Sequence, residues 1–256
     1  MNKIEQLYGL SGKTIIVTGA SSGLGLSMAI LLAQCGAKVY GFSRRGVPEK
    51  ELDVELPGEI IFEKLDVTDN EALAQKFKEV ADANNGTIDV LVNNAGVTIK
   101  KRAEDFTVDD WKYIHDINVT ALFQCCQKAY PYLKMSKDIG RIINISSMAS
   151  FLGFSEVVPY SSSKSAVLGI TKGLAVEWAQ DNILVNSVSP GWFPSEMTQG
   201  VMDENRKAKI LNRMPLHRFG KPEELAAMIG FLASPAASYI TGQDFSVDGG
   251  ALAYGF

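Results

Sequence analysis

In the run YSSSK, Tyr160 and Lys164 stand four residues apart. If the segment opens a helix, that spacing puts a phenol and an ammonium on one face. A free phenol has a pKa of about 10 and a nearby ammonium favours its ionised form, so the pair suits Tyr160 to act as a general acid or base. A second stretch, TGASSGLG from Thr18 to Gly25, fits two chemistries. Gly19-Ala20-Ser21-Ser22-Gly23 matches the G-x-S-x-G of a nucleophilic serine on a tight turn. Gly19, Gly23 and Gly25 instead match a loop that lets a dinucleotide pyrophosphate approach the backbone.

The dinucleotide reading accounts for more of the chain. A nucleophile elbow needs an acid and then a histidine downstream of Ser21, and the sequence holds only His115 and His217, of which His217 could take that part. An elbow leaves Gly25 unexplained. A Walker loop is excluded because no Gly-Lys-Ser/Thr follows, and the Ser161-x-x-Lys164 pattern of penicillin-binding enzymes lacks its S-D-N and K-T-G companions. The loop is therefore expected to bind phosphate through Gly19, Ser21, Ser22, Gly23, Leu24 and Gly25. Further on, KVYGFSRR ends in Ser43, Arg44 and Arg45. An acid at that place would bond a free ribose hydroxyl, whereas an arginine accommodates a 2′-phosphate. With no carboxylate there, NADP is expected, and NAD is the weaker alternative.

Elements that position these residues alternate along the chain. TIIVT reads as a strand, Leu24 to Ala37 as a helix, and KVYGF and EIIFEKLDV as strands. NEALAQKFKEVADA reads as a helix and IDVLVNNAG as a strand entering a turn. A long helical stretch follows from about Thr107 to Met135, then the strand RIINIS, a helix from about Tyr160 to Gln180, the strand ILVNSVS and a terminal strand near DFSVDGG. This alternation predicts an α/β fold: one Rossmann-type domain over 1–256, doubly wound, with a parallel sheet and helices on both faces. Arg44 to Glu59 and Gly191 to Pro215 are longer than ordinary connections, and the second, opening on Trp192 and Phe193, is expected to be a substrate lid.

A net charge of −4 leaves no cationic excess for a nucleic-acid backbone or an anionic bilayer, so neither is an expected partner. Three cysteines without C-x-x-C spacing argue against a disulfide framework or zinc site, no metal is expected, and the cytoplasm is the expected compartment.

Taken together, the motifs resemble those of the short-chain dehydrogenase/reductase family. TGASSGLG, LDV at 65–67, NNAG at 93–96, INV around Asn118, the serines 146 and 147, YSSSK, and SPG at 189–191 stand in that family's order, over nearly the whole chain. The resemblance implies a ketone and a secondary alcohol interconverted by hydride transfer, on a small carbonyl or alcohol substrate. It implies Tyr160 as the proton donor and Lys164 as the residue that lowers its pKa and binds the nicotinamide ribose. Ser147, rather than Ser146, would hold the substrate oxygen, and Asn118 a water in a proton relay. It further implies adenine contacts at Asp66 and Val67, an adenosine wall of Asn94, Ala95 and Gly96, and a carboxamide segment of Pro190, Gly191, Phe193 and Ser195. Two departures stand out: position 22 is serine where NADP-preferring relatives often carry a basic residue, and Ser195 replaces a frequent threonine.

For the substrate, TIKKRAEDF places Lys100, Lys101 and Arg102 near the expected active-site entrance. This stretch, IINISSMAS and VDGGALAY resemble gluconate 5-dehydrogenases and related sugar-acid dehydrogenases. The basic cluster motivates Lys100 as a carboxylate anchor, with Trp192 beside Ser147 and Tyr160, and a solvated charge run is the alternative. 3-oxoacyl-acyl-carrier-protein reductase is the alternative, although EWAQDN is acidic where arginines would meet the carrier. A non-catalytic NADP-binding protein is the alternative of another class. SAVLGITKGLAVEWA is apolar around most of its circumference, which predicts a subunit contact and, with the resemblance, a homotetramer or homodimer.

Overall fold

The computed structural model describes residues 2–194 and 204–254. A short helix, α1 (Lys3–Tyr8), precedes β1 (Thr14–Thr18), whose residues are all buried. Ile15 and Val17 enter one core and Ile16 the other, as a strand covered on both faces requires. The glycine-rich turn leads into α2 (Gly23–Gln34), followed by β2 (Lys38–Ser43), β3 (Glu59–Lys64) and α3 (Asn70–Asp82). Asp69 starts α3 by accepting the Ala72 N–H at 3.0 Å. Next come β4 (Val90–Asn93) and α4 (Val108–His115), the latter opened by a capping box between Thr107 and Asp110. A π-helical turn, Asp116–Ala121, joins α4 to α5 (Leu122–Leu133). The chain continues through β5 (Gly140–Ile145), α6 (Val158–Trp178), β6 (Ile183–Pro190), α7 (Glu204–Asn212), α8 (Pro222–Ala233) and β7 (Asp244–Val247).

Among the described residues seven strands pair in parallel, in the order β3-β2-β1-β4-β5-β6-β7. Met28 and Leu32 of α2 and Leu225 and Ile229 of α8 fill the core on one face. Leu73 and Phe77 of α3, Cys125 and Ala129 of α5 and Val167 and Leu174 of α6 fill the other. The doubly wound parallel fold expected from the alternation is thus the observed one.

Several elements differ from the sequence reading. The helix α6 begins at Val158 because Pro159, which has no N–H to donate, fits its first turn. The long helical stretch is interrupted by the π turn, and α8 lies in a segment the sequence reading left unassigned. Residues 44–58 carry no helix or strand, as expected for the first long connection. Within the second, α7 is regular, whereas 195–203, including Ser195, lie outside the described residues. All three cysteines are free: Cys35 is half-buried, while Cys125 and Cys126 are buried side by side in α5, where burial pushes both thiols up, Cys126 to about 12.

Candidate active site

Crossovers run outward in both directions from the junction of β1 and β4, which leaves a crevice at the carboxyl ends of the strands. There a cleft of about 690 Å³ opens, a volume in the usual range of cofactor sites. Every described residue expected to bind cofactor lines it, from Gly19 through Arg45, Asp66 and Gly96 to Phe193.

Close packing explains the glycines at the base of this cleft. Gly19 has φ +68°, and a Cβ there would meet the Asn94 amide nitrogen at 2.9 Å. A Cβ on Gly25 would run into the Gly19 carbonyl oxygen and the Asn94 amide. Asn94 in turn donates to the carbonyls of Thr18 at 2.9 Å and Gly19 at 3.2 Å, while the Thr18 hydroxyl accepts the N–H groups of Asn94 and Ala95. The loops after β1 and β4 therefore form one braced floor. Ser22 caps α2 without a side-chain hydrogen bond, so the first-turn N–H groups have no serine partner at this lip of the cleft. Both the backbone clearance and the donors fit a pyrophosphate. At the adenine end, Arg44 and Arg45 are exposed, and Asp66 is held below the usual carboxylate range by the Thr68 N–H, helped by the Thr68 hydroxyl and Arg44.

At the other end, the cleft brings Ser147, Tyr160 and Lys164 together. Ser147 follows β5 and opens a short turn in which its Oγ accepts the Ala149 N–H at 3.1 Å. Burial pushes the Tyr160 phenol up, and a hydrogen bond from Ser147 pulls it back. Lys164, 4% exposed, donates from Nζ to the Ile145 carbonyl at 2.8 Å, and burial lowers it to about 8. Its Nζ lies 5.8 Å from the Tyr160 ring centre. In the chain alone, the depression expected from the ammonium is not found: burial raises the phenol and only Ser147 opposes it. Ser146 is spent on structure, bonding Ser150 and the Lys164 carbonyl.

Asn118 stands in the π turn, fully buried, and does not reach the cleft lining through its side chain. Its Oδ1 accepts the Val97 N–H at 2.8 Å, and its Nδ2 donates to the Val97 carbonyl and to Ser163 Oγ. A Cβ on Gly96 would lie 3.2 Å from Asn118 Oδ1 and 3.5 Å from Lys164 Nζ, so the residue's lack of a side chain lets all three crowd together.

The expected substrate residues lie farther out. Lys100, Lys101 and Arg102 pair with Glu156, Asp110 and Glu104, the first pair at 3.2 Å. Trp192 meets Phe154 edge-on, ring centres 6.0 Å apart, joining the segments after β5 and β6. Neither histidine supports the elbow: His217 Nδ1 faces the Leu211 carbonyl, and His115 bonds the Trp111 carbonyl and Ser162. Sequence reasoning missed Phe42, Leu65, Val97, Ile117 and Ile145 in the lining. Ordinary apolar residues carry no chemical signal, although Phe42, Leu65, Val97 and Ile117 each neighbour an expected site residue and Ile145 stands two before Ser147.

The sequence model of a family described as enoyl-(acyl carrier protein) reductase matches residues 19–251. The chain is 37% identical over 255 residues to a 2-dehydro-3-deoxy-D-gluconate 5-dehydrogenase of Bacillus subtilis, covering 98% of this chain and 99% of that one. It is 38% identical over 244 residues to a 3-oxoacyl-(acyl-carrier-protein) reductase of Thermotoga maritima, covering 94% and 98%. A crystal structure of a gluconate 5-dehydrogenase from Burkholderia cenocepacia, in complex with NADP and tartrate, superposes with a TM-score of 0.87 at 30% identity, covering 97% of this chain and 98% of that one.

Proposed function

Because the chain belongs to the short-chain dehydrogenase/reductase family, we propose that it interconverts a ketone and a secondary alcohol with NADP(H), on a small sugar acid or polyol. The observation that carries this reading is the meeting of Ser147, Tyr160 and Lys164 in the same cleft as the glycine-rich floor. When bound, the nicotinamide supplies or accepts the hydride.

The chain's own residues handle the proton. Burial keeps Tyr160 protonated, the form that reduction of a carbonyl requires of its donor. Ser147 holds the same oxygen and stabilises the charge that develops on it. Lys164 binds the ribose hydroxyls and, while charged, favours the phenolate left behind. The amide of Asn118 is committed to Val97 and Ser163, so its side chain braces the turn after β4 against α6.

NADP is favoured by Arg44 and Arg45 at the rim, and the Burkholderia relative was solved with it. The sugar-acid reading draws on the Bacillus relative and on Lys100, which would exchange Glu156 for a substrate carboxylate. The Thermotoga relative supports a second reading, reduction of a 3-oxoacyl thioester on a carrier protein.

Tyr160→Phe tests the assignment: it is expected to keep NADPH affinity and lose nearly all turnover on a panel of sugar acids, neutral ketones and a 3-oxoacyl-carrier substrate. Full activity in that variant removes Tyr160 from the chemistry, and a wild-type protein silent on every substrate favours a non-catalytic NADP-binding protein. In the same panel, Lys100→Ala should raise KM for acids alone. An unaltered KM would sink the anchor.

A further inference from the structure

The strand β2 ends without a carboxylate, but one returns through space to the edge of its cleft. Gly46, at φ +77°, turns the chain straight after the arginines, and its N–H donates to Ser43 Oγ at 3.0 Å. The loop then folds back over the glycine-rich turn. Glu49 donates its N–H to the Ser21 carbonyl at 2.8 Å, and its Oε1 accepts the Gly23 N–H at 3.4 Å. Its carboxylate thus sits at the start of α2, where Ser22 provides no side-chain cap, beside the lip formed by Ser21, Ser22, Arg44 and Arg45.

From this placement we infer that Glu49 is a specificity-determining residue that tempers the NADP preference set by the arginines. The inference rests on the cofactor reading above. Arg44 would hold a 2′-phosphate at this lip, where Glu49 would oppose it with a like charge and would have to give up its contact with Gly23. A free 2′-hydroxyl instead offers a proton that this carboxylate would accept, the same interaction by which an acid at the end of β2 selects NAD. Arg44 and Glu49 therefore pull in opposite directions, and the chain retains use of both cofactors.

Fluorescence titration of the full chain with NADPH and with NADH gives a readout independent of turnover. In Glu49→Gln the backbone bond to Ser21 is preserved while the charge is lost. NADPH should bind more tightly, by roughly threefold to tenfold for the loss of one like charge at a partly wet rim, and NADH should bind less tightly. The gain for NADPH should shrink in high salt. Arg44→Asp, run beside it, should move the ratio the other way. An unchanged ratio in Glu49→Gln, or weaker NADPH binding, overturns the inference while leaving the cofactor reading intact. Wild-type protein that binds neither nucleotide overturns both.

Discussion

Burial drives Tyr160 and Lys164 in opposite directions, raising the phenol and lowering the ammonium to about 8, so each is biased toward its neutral form. For Lys164 this has a thermodynamic signature. Below about pH 8 the folded and unfolded chains both carry the proton; from there to about pH 10 the unfolded chain holds it while the folded one has released it. Stability therefore rises with pH across that window, by up to about 3 kcal/mol from this group. Urea unfolding across the window should show the rise in wild type and its loss in Lys164→Met, which should be relatively more stable near pH 7. Parallel stability curves for the two proteins would contradict the burial argument. At this scale the sequence was informative where chemistry needs rare combinations, as in YSSSK. It was silent on the partner of Lys100, because Glu156 adopts φ +69° and no pattern announces a glutamate in that conformation.

Elements place the machinery with little room for change. In Gly25→Ala, the new methyl would collide with the Gly19 carbonyl and the Asn94 amide, which brace the floor of the cleft. Overpacking of this kind costs about 1–3 kcal/mol, and NADPH affinity should fall by about tenfold. Calorimetry with nucleotide titration checks both, and native-like values would mean that the floor can yield. Alternating strands and helices were legible because parallel strands buried on both faces read as short β-branched runs. The helix α8 escaped notice, although Pro222 at its start and Leu225, Ala226, Ile229 and Leu232 at helical spacing mark it. The π turn left no trace in the pattern: one extra residue in a turn shifts the periodicity too little to see.

Across the whole molecule, two cores sandwich one sheet, and apolar side chains remain uncovered on the outer faces of α5 and α6. Val176 is 82% exposed and Phe123 37%, while Gly169 and Gly173 have open space beside them. A second copy of the chain suits such a face, and light scattering at micromolar concentration is expected to give a homotetramer. A monomer would contradict this. Among the described residues no helix is long and apolar enough to cross a membrane. The adjoining thiols of α5 offer a way to watch the molecule breathe. Cys125 and Cys126 lie deep in the second core, so an alkylating reagent can reach them only when the helical layer lifts from the sheet, whereas half-buried Cys35 offers an earlier target. The lag between one modification and three, followed by mass, would then clock that opening without any introduced probe.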